Sequence, residues 1–397
     1  MPSSTLIRLP LVFLLVASLI GLALRFHFVQ PITGFNYNNW LHAHSHVMFL
    51  GWVLNALCTG FVVCLLPASS LKRYTSLLYT INVLVFGMLI TFPLQGYGVY
   101  SIIISTLHTI AIVVFTVQFF KDTRWKQAKS SVQFARDAMI FFLVSALGPL
   151  IVGVLAANGL GQSDWYHLAI YYYLHFQYNG VFTFGILALF FTLLERKGVG
   201  IERKSALPFR KLLFFSCFPA YALSTLWTEP PMLIIWIGLA AAILQIASLY
   251  YFLQTVRNSG WNLRLVGSNT TRALLLVSFL AFIAKLVLQF LSSIPKISLL
   301  AYEVRFYLIA YLHLVLVGMI SFFLIAWYRE QKVIALTIVD ASLLVAGFVG
   351  SELIMVGVGL SAGTFNVFKW VLVASVILFA GIVKVAISAI FARNLVP

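Results

Sequence analysis

Charge is scarce in this chain. Charged residues are 9% of its 397, and the acidic sign is the scarcer, with 10 Asp and Glu against 26 Lys and Arg. A soluble domain carries about 25% charged residues, so a water-facing surface along most of the length is excluded. Cysteine is nearly missing too. Cys58, Cys64 and Cys217 each fall inside an apolar run and form no C-x-x-C pair, which excludes a disulfide framework and leaves buried free thiols. No low-complexity tract, soluble appendage or clean internal repeat is visible. The formal net charge of +16 does not point to nucleic acid, because the basic residues sit in short loops between apolar runs; no nucleic-acid partner is expected.

Apolar side chains fill the space that charge leaves. Hydrophobic residues are 62% of the chain and aromatic ones 15%, with a mean hydropathy of +1.01. That composition fits an all-α polytopic membrane protein, one integral membrane domain over residues 1–397, with the lipid bilayer as its first partner. A span needs about 20 apolar residues. About twelve are expected: Leu9–Phe26, Leu41–Leu66, Tyr74–Phe92, Tyr100–Phe120, Phe134–Ala157, Tyr166–Glu195, Lys211–Trp227, Met232–Gln254, Arg272–Ser293, Phe306–Tyr328, Val333–Leu360 and Val367–Phe391. The first has one basic residue before it, Arg8, and no small-residue cleavage site after it, so it reads as a retained span.

The loops alternate in charge. Lys72 and Arg73 follow the second span, and Lys121, Arg124, Lys126, Lys129 and Arg136 the fourth. Arg196, Lys197, Arg203, Lys204, Arg210 and Lys211 follow the sixth; Arg257, Arg264 and Arg272 the eighth; Arg329 and Lys332 the tenth. The other loops hold only Arg25, Lys296, Arg305 and Lys369. The positive-inside rule then puts both termini in the cytoplasm, as expected for a bacterial inner (plasma) membrane protein. All eight histidines map to the outer side in that orientation.

Those histidines are the chemistry of the chain. The stretch Trp40–Pro67 opens with His42, His44 and His46 on a segment otherwise apolar enough to cross a bilayer. A bare imidazole buried in hydrocarbon costs several kcal/mol, roughly 4–8 on hydrocarbon scales, so histidine inside a span points to a metal or haem ligand. His108, His175 and His313 lie in the outer halves of the fourth, sixth and tenth spans. His27 and His167 lie in outer loops or span ends. On a helix His42 and His46 share a face while His44 points nearly opposite, so one cofactor does not take all three. The i, i+4 pair suits copper or zinc, whereas a haem takes one axial histidine from each of two facing helices.

The residues carry a resemblance. The run Ala43-His44-Ser45-His46-Val47-Met48, followed by Asn55-Ala56-Leu57-Cys58-Thr59-Gly60-Phe61, resembles helix II of subunit I in the haem-copper oxidases, whose A-H-G-x-x-M histidine ligates the low-spin haem. That role falls on His44. The run Tyr311-Leu312-His313-Leu314-Val315-Leu316 looks like helix X, H-x-H-x-V-L, which gives the other low-spin ligand to His313 and sets Tyr311 at the place of the high-spin haem ligand. The run from His175 to Phe182, H-F-Q-Y-N-G-V-F, resembles the H-x-x-x-E-G-V-W of nitric oxide reductase, with Asn179 in place of the metal-site glutamate. The W-L-H-A-H of Trp40–His44 also resembles the W-H-A-H-E of the NnrS family, twelve-span haem and copper proteins linked to nitric oxide metabolism.

The resemblance implies haem b between the second and tenth spans, on His44 and His313. It also implies a degenerate second site, for copper or non-haem iron, on His175 with Tyr311, Gln177, Tyr178 or His108 near it. The work implied is electron transfer, or nitric oxide handling or sensing, served by an outer-face electron donor or a small gas ligand. The seventh span has no histidine pair, so most ligands of a binuclear oxidase or reductase centre are missing, which argues against dioxygen reduction by the usual route. The alternatives are a haem-free transporter using His42 and His46 for copper or zinc, and a scaffold or assembly factor. Lys285, Asp340, Glu352 and Lys384 are charged residues inside the spans; the expected pairing is Lys285 with Glu352 or Asp340, with a proton route as the functional reading. Asp122, Asp137 and Lys384 are placed to snorkel.

Overall fold

The computed structural model describes residues 4–126, 129–261, 267–358 and 366–391. Arg264 and the expected end of the eleventh span, Leu360, lie outside them. The chain is all-α, and no strand occurs among the described residues. In chain order the helices are α1 (Ser4–Val29), α2 (Tyr37–His46), α3 (Asn55–Leu65), α4 (Leu71–Gln95), α5 (Val99–Thr123), α6 (Ser130–Ser145), α7 (Leu147–Ala157), α8 (Asp164–His175) and α9 (Thr183–Arg196). There follow α10 (Arg203–Cys217), α11 (Met232–Asn258), α12 (Asn269–Leu291), α13 (Pro295–Glu303), α14 (Arg305–His313), α15 (Phe322–Glu330), α16 (Ile338–Val358) and α17 (Val367–Phe391).

Eleven helical stretches among the described residues are long and apolar enough to cross a bilayer. The expected seventh span is the one that falls short. It is built from α10, whose first half carries Arg203, Lys204, Arg210 and Lys211, and a 3-10 helix, Pro219–Thr228. Pro149, which offers no N–H to the Ser145 carbonyl, accompanies the break between α6 and α7 at Ala146.

Three spans are built alike. In Tyr37–Leu65, Asp164–Arg196 and Arg305–Glu330 an α-helix ends on a histidine, a π-helix of 7 or 8 residues follows, and a second α-helix resumes. The histidines are His46, His175 and His313, and the π-helices Val47–Leu54, Phe176–Phe182 and Leu314–Ser321. These spans are also the inner ones. In their most apolar stretches 83%, 94% and 56% of the residues are buried, against 33–44% in the other eight. The remaining spans turn Leu94, Val83, Val154, Leu353 and Ile390 outward, all more than 60% exposed, an apolar surface that only a bilayer covers.

Contacts divide the chain into two interleaved compact units. The first takes 1–124, 266–278 and 320–397, and the second 125–265 and 279–319. In the first, α1 packs on α2, the first π-helix and α17, and α16 packs on α17. Asn55 Nδ2 donates to Asn82 Oδ1 at 2.7 Å, and Trp52 Nε1 donates to Ser321 Oγ at 2.9 Å. In the second, α6 packs on α9 and the second π-helix, and α10 on α11.

The polar residues inside the helices find partners other than those expected. Among the described residues Lys285 pairs with no carboxylate: its Nζ donates to Gln289 Oε1 one turn on, at 2.9 Å, with both residues buried. Asp340 instead caps its own helix, accepting from Thr337 N at 2.9 Å, and Glu352 lies within electrostatic reach of Arg25. Asp137 does not snorkel. It is 2% exposed and held by both arms of Arg210, at 2.6 and 2.7 Å, the bidentate geometry that makes such a pair strong. Asp122 accepts from Tyr74 Oη at 2.9 Å and Gln118 Nε2 at 3.0 Å.

Candidate functional site

His44 is held from one side by a single face of α1. Its Nδ1–H donates to the Ala17 carbonyl at 2.7 Å; a carbonyl only accepts, so the proton is on Nδ1 and the lone pair is on Nε2. One turn along α1, Gly21 leaves room for the ring: a Cβ there would stand 2.8 Å from His44 Cε1. One turn further is Arg25, within electrostatic reach of His44. Residues 17, 21 and 25 are four apart and therefore share a face.

The opposite face of α2 behaves differently. His42 packs edge-on to Tyr97, ring centres 4.6 Å apart. His46 stacks on Phe92 at 4.2 Å and hydrogen-bonds Tyr97 Oη through Nε2 at 3.1 Å. His108, 1% exposed on α5, is within electrostatic reach of His46 and leaves its Nε2 without a hydrogen-bond partner. No group of three or more His, Cys, Asp or Glu side chains among the described residues gathers as a metal site. The pair His42/His46 does share a face, with His44 on the other.

In the second unit, His175 has both ring nitrogens engaged. Nε2–H donates to the Cys217 carbonyl at 2.9 Å. Nδ1 then accepts from Asn179 Nδ2 at 3.1 Å and, at a longer 3.4 Å, from Ser224 Oγ. The local backbone explains both contacts. Beyond Pro219 the helix tightens to 3-10, and Tyr221 N–H bonds Phe218 O instead of Cys217 O. The same tight turn presents Ser224. Gln177 Nε2 donates to Ser145 Oγ at 2.9 Å, while Gln177 Oε1 and Asn179 Oδ1 are buried with no partner. Lys285 lies within electrostatic reach of His175 and Cys217. Tyr311 is half-buried, its ring 6.3 Å from that of Tyr178 and nearly perpendicular to it.

His313 repeats the device seen at His44. Its Nδ1–H donates to the Ile309 carbonyl at 2.8 Å, again putting the lone pair on Nε2. Fixing one imidazole nitrogen on a backbone carbonyl so that the other can bind a metal is the usual support for a ligating histidine. Of the two histidines at the outer loops, His27 uses Nδ1 as an acceptor, while the exposed His167 makes the same kind of bond as His313. His27 Nδ1 accepts from Ile32 N–H at 3.1 Å, and His167 Nδ1 bonds Ser163 O at 3.0 Å.

Two features go beyond what the sequence suggests, and only the first leaves a signal in it. Each of the three histidines that end a helix is followed five residues on by glycine, His46 by Gly51, His175 by Gly180 and His313 by Gly318. This H-x-x-x-x-G pattern marks the three π-helices. The place of Arg25 beside His44, and of Glu352 within electrostatic reach of Arg25, does not show in the sequence, because it depends on which faces of α1 and α16 turn inward. No family model matches the chain, and no curated protein matches it.

Proposed function

We propose that the chain is a membrane haem protein of the electron-transfer or nitric-oxide-handling kind, with His44 and His313 as the candidate Nε2 ligands of b-type haem. The reading rests on one observation above all. The two histidines singled out by the oxidase resemblance are two whose Nδ1–H is tied to a backbone carbonyl, the tautomer in which Nε2 is the nitrogen that ligates a metal. The room that Gly21 leaves beside the His44 ring belongs to the same design. The haem would supply reversible one-electron chemistry; the protein residues orient it and tune its surroundings. His175, with both nitrogens bonded to protein, gives less support to a second metal. The reading therefore centres on a haem with nitrogen ligands rather than on a binuclear reaction centre. The charge alternation of the loops supports a position of these histidines toward the outer face of a bacterial inner membrane, where an external donor or a dissolved gas would meet them.

The test is the absorption spectrum of protein produced with haem supplied. A six-coordinate b-type spectrum is expected, lost or converted to a five-coordinate form in His44→Ala and in His313→Ala. A wild type without a Soret band, or a spectrum untouched by both substitutions, overturns the assignment. Adding nitric oxide or carbon monoxide to the reduced protein separates the two kinds of work, since only a gas-handling haem shifts.

A further inference from the structure

We propose that Arg25 anchors a carboxylate substituent of the haem whose iron takes His44, an inference that rests on the function proposed above. The groups involved all belong to the first unit. Arg25 follows Ala17 and Gly21 on the α1 face that holds the His44 ring, one turn or about 6 Å beyond Gly21. A guanidinium has five N–H donors in a planar fork. Among the described residues the only hydrogen bond from the Arg25 guanidinium goes from Nη1 to Ser375 Oγ on α17.

The nearest opposite charge does not complete the fork. Glu352 on α16 lies within electrostatic reach of Arg25, yet its Oε1 is buried without a hydrogen-bond partner and no direct ion pair joins the two. A guanidinium and a carboxylate left apart inside a membrane span are both costly. The guanidinium lacks what a further anionic acceptor would bring. Haem b carries two carboxylates on one edge, and a carboxylate is the group a guanidinium fork takes in two parallel hydrogen bonds. Arg25 thus has the chemistry, the spare donors and the position next to the His44 ring that such an anchor requires. Glu352, of the same sign as the incoming carboxylate, competes for Arg25 and opposes binding.

The experiment compares haem b with its dimethyl ester, in which both carboxylates are masked, by titration into the full-length haem-free protein. Wild type should bind haem b about tenfold or more tighter than the ester, the worth of a charge-assisted hydrogen bond. Arg25→Gln should bind both at the ester's level, and Arg25→Lys should keep part of the preference. Glu352→Gln should tighten haem b and leave the ester unchanged. The haem midpoint potential should fall in Arg25→Gln, where a positive charge near the iron is removed. A wild type that binds haem and ester equally, or an Arg25→Gln protein that keeps the preference, overturns the anchor while leaving the haem reading standing. A wild type that binds neither overturns both.

Discussion

Gly21 has no side chain where the His44 ring needs the space. A methyl group there would stand 2.8 Å from Cε1 and 3.2 Å from Nδ1, closer than carbon contacts allow, and the ring would have to swing off the Ala17 carbonyl. Gly21→Ala gains about 1 kcal/mol of helix propensity, which offsets part of the clash. Haem affinity should therefore fall sharply while thermal unfolding of the haem-free protein moves by only a few degrees. Parallel haem titrations and circular-dichroism melts would check this, and unchanged affinity would deny Gly21 its role. The histidines themselves were legible in the sequence, as were the opposite faces of His44 and the His42/His46 pair, because a 3.6-residue repeat fixes both. The tie to Ala17 was not. A backbone carbonyl has no residue type, so its use by a side chain 27 positions away leaves no mark in the sequence.

At the scale of elements, the three π-helices are where periodicity misleads. A π-turn inserts a residue into the helical register, so positions beyond it rotate away from the face that a 3.6-residue count assigns. Eleven of the expected segments hold helices long and apolar enough to cross a bilayer, because length and hydropathy do not depend on register; the faces beyond His46, His175 and His313 do. Glycine at the fifth position lets a neighbouring helix close on the widened turn. At Gly180 an added Cβ would lie 2.5 Å from Phe141 Cβ on α6, and at Gly51 it would lie 2.7 Å from Val85 Cγ1 on α4. Gly180→Ala should cost about 1–3 kcal/mol, the usual range for overpacking a tight core. Gly153→Ala, where an added Cβ meets nothing within 4 Å, should be neutral or stabilising by up to about 1 kcal/mol. Denaturation of both variants in one detergent checks the contrast.

At the scale of the whole molecule, the number of crossings decides where every later residue lies. Eleven stretches qualify by length and hydropathy, and the segment from Arg203 to Thr228 does not, because its first turns are basic. It is nonetheless long enough. The 15 residues of α10 rise about 22 Å and the 10 residues of the 3-10 helix about 20 Å, against a hydrocarbon core of about 30 Å. If it crosses, the basic loops after α5, α9, α11 and α15 all lie on one side, as the positive-inside rule requires. If it does not, the loops after α11 and α15 change sides, and the basic residues are split between the two faces of the membrane. The first arrangement is the expected one. Single cysteines placed at Gln162 and Lys296 in a cysteine-free background should react with an impermeant maleimide added to intact cells. Cysteines at Lys197, Ser259 and Lys332 should react only after the membrane is opened. Labelling of Ser259 and Lys332 from outside, with Lys197 protected, would mean eleven crossings. His313 would then lie toward the cytoplasmic end of its span, and the placement of all eight histidines on the outer side would fall with the topology that produced it.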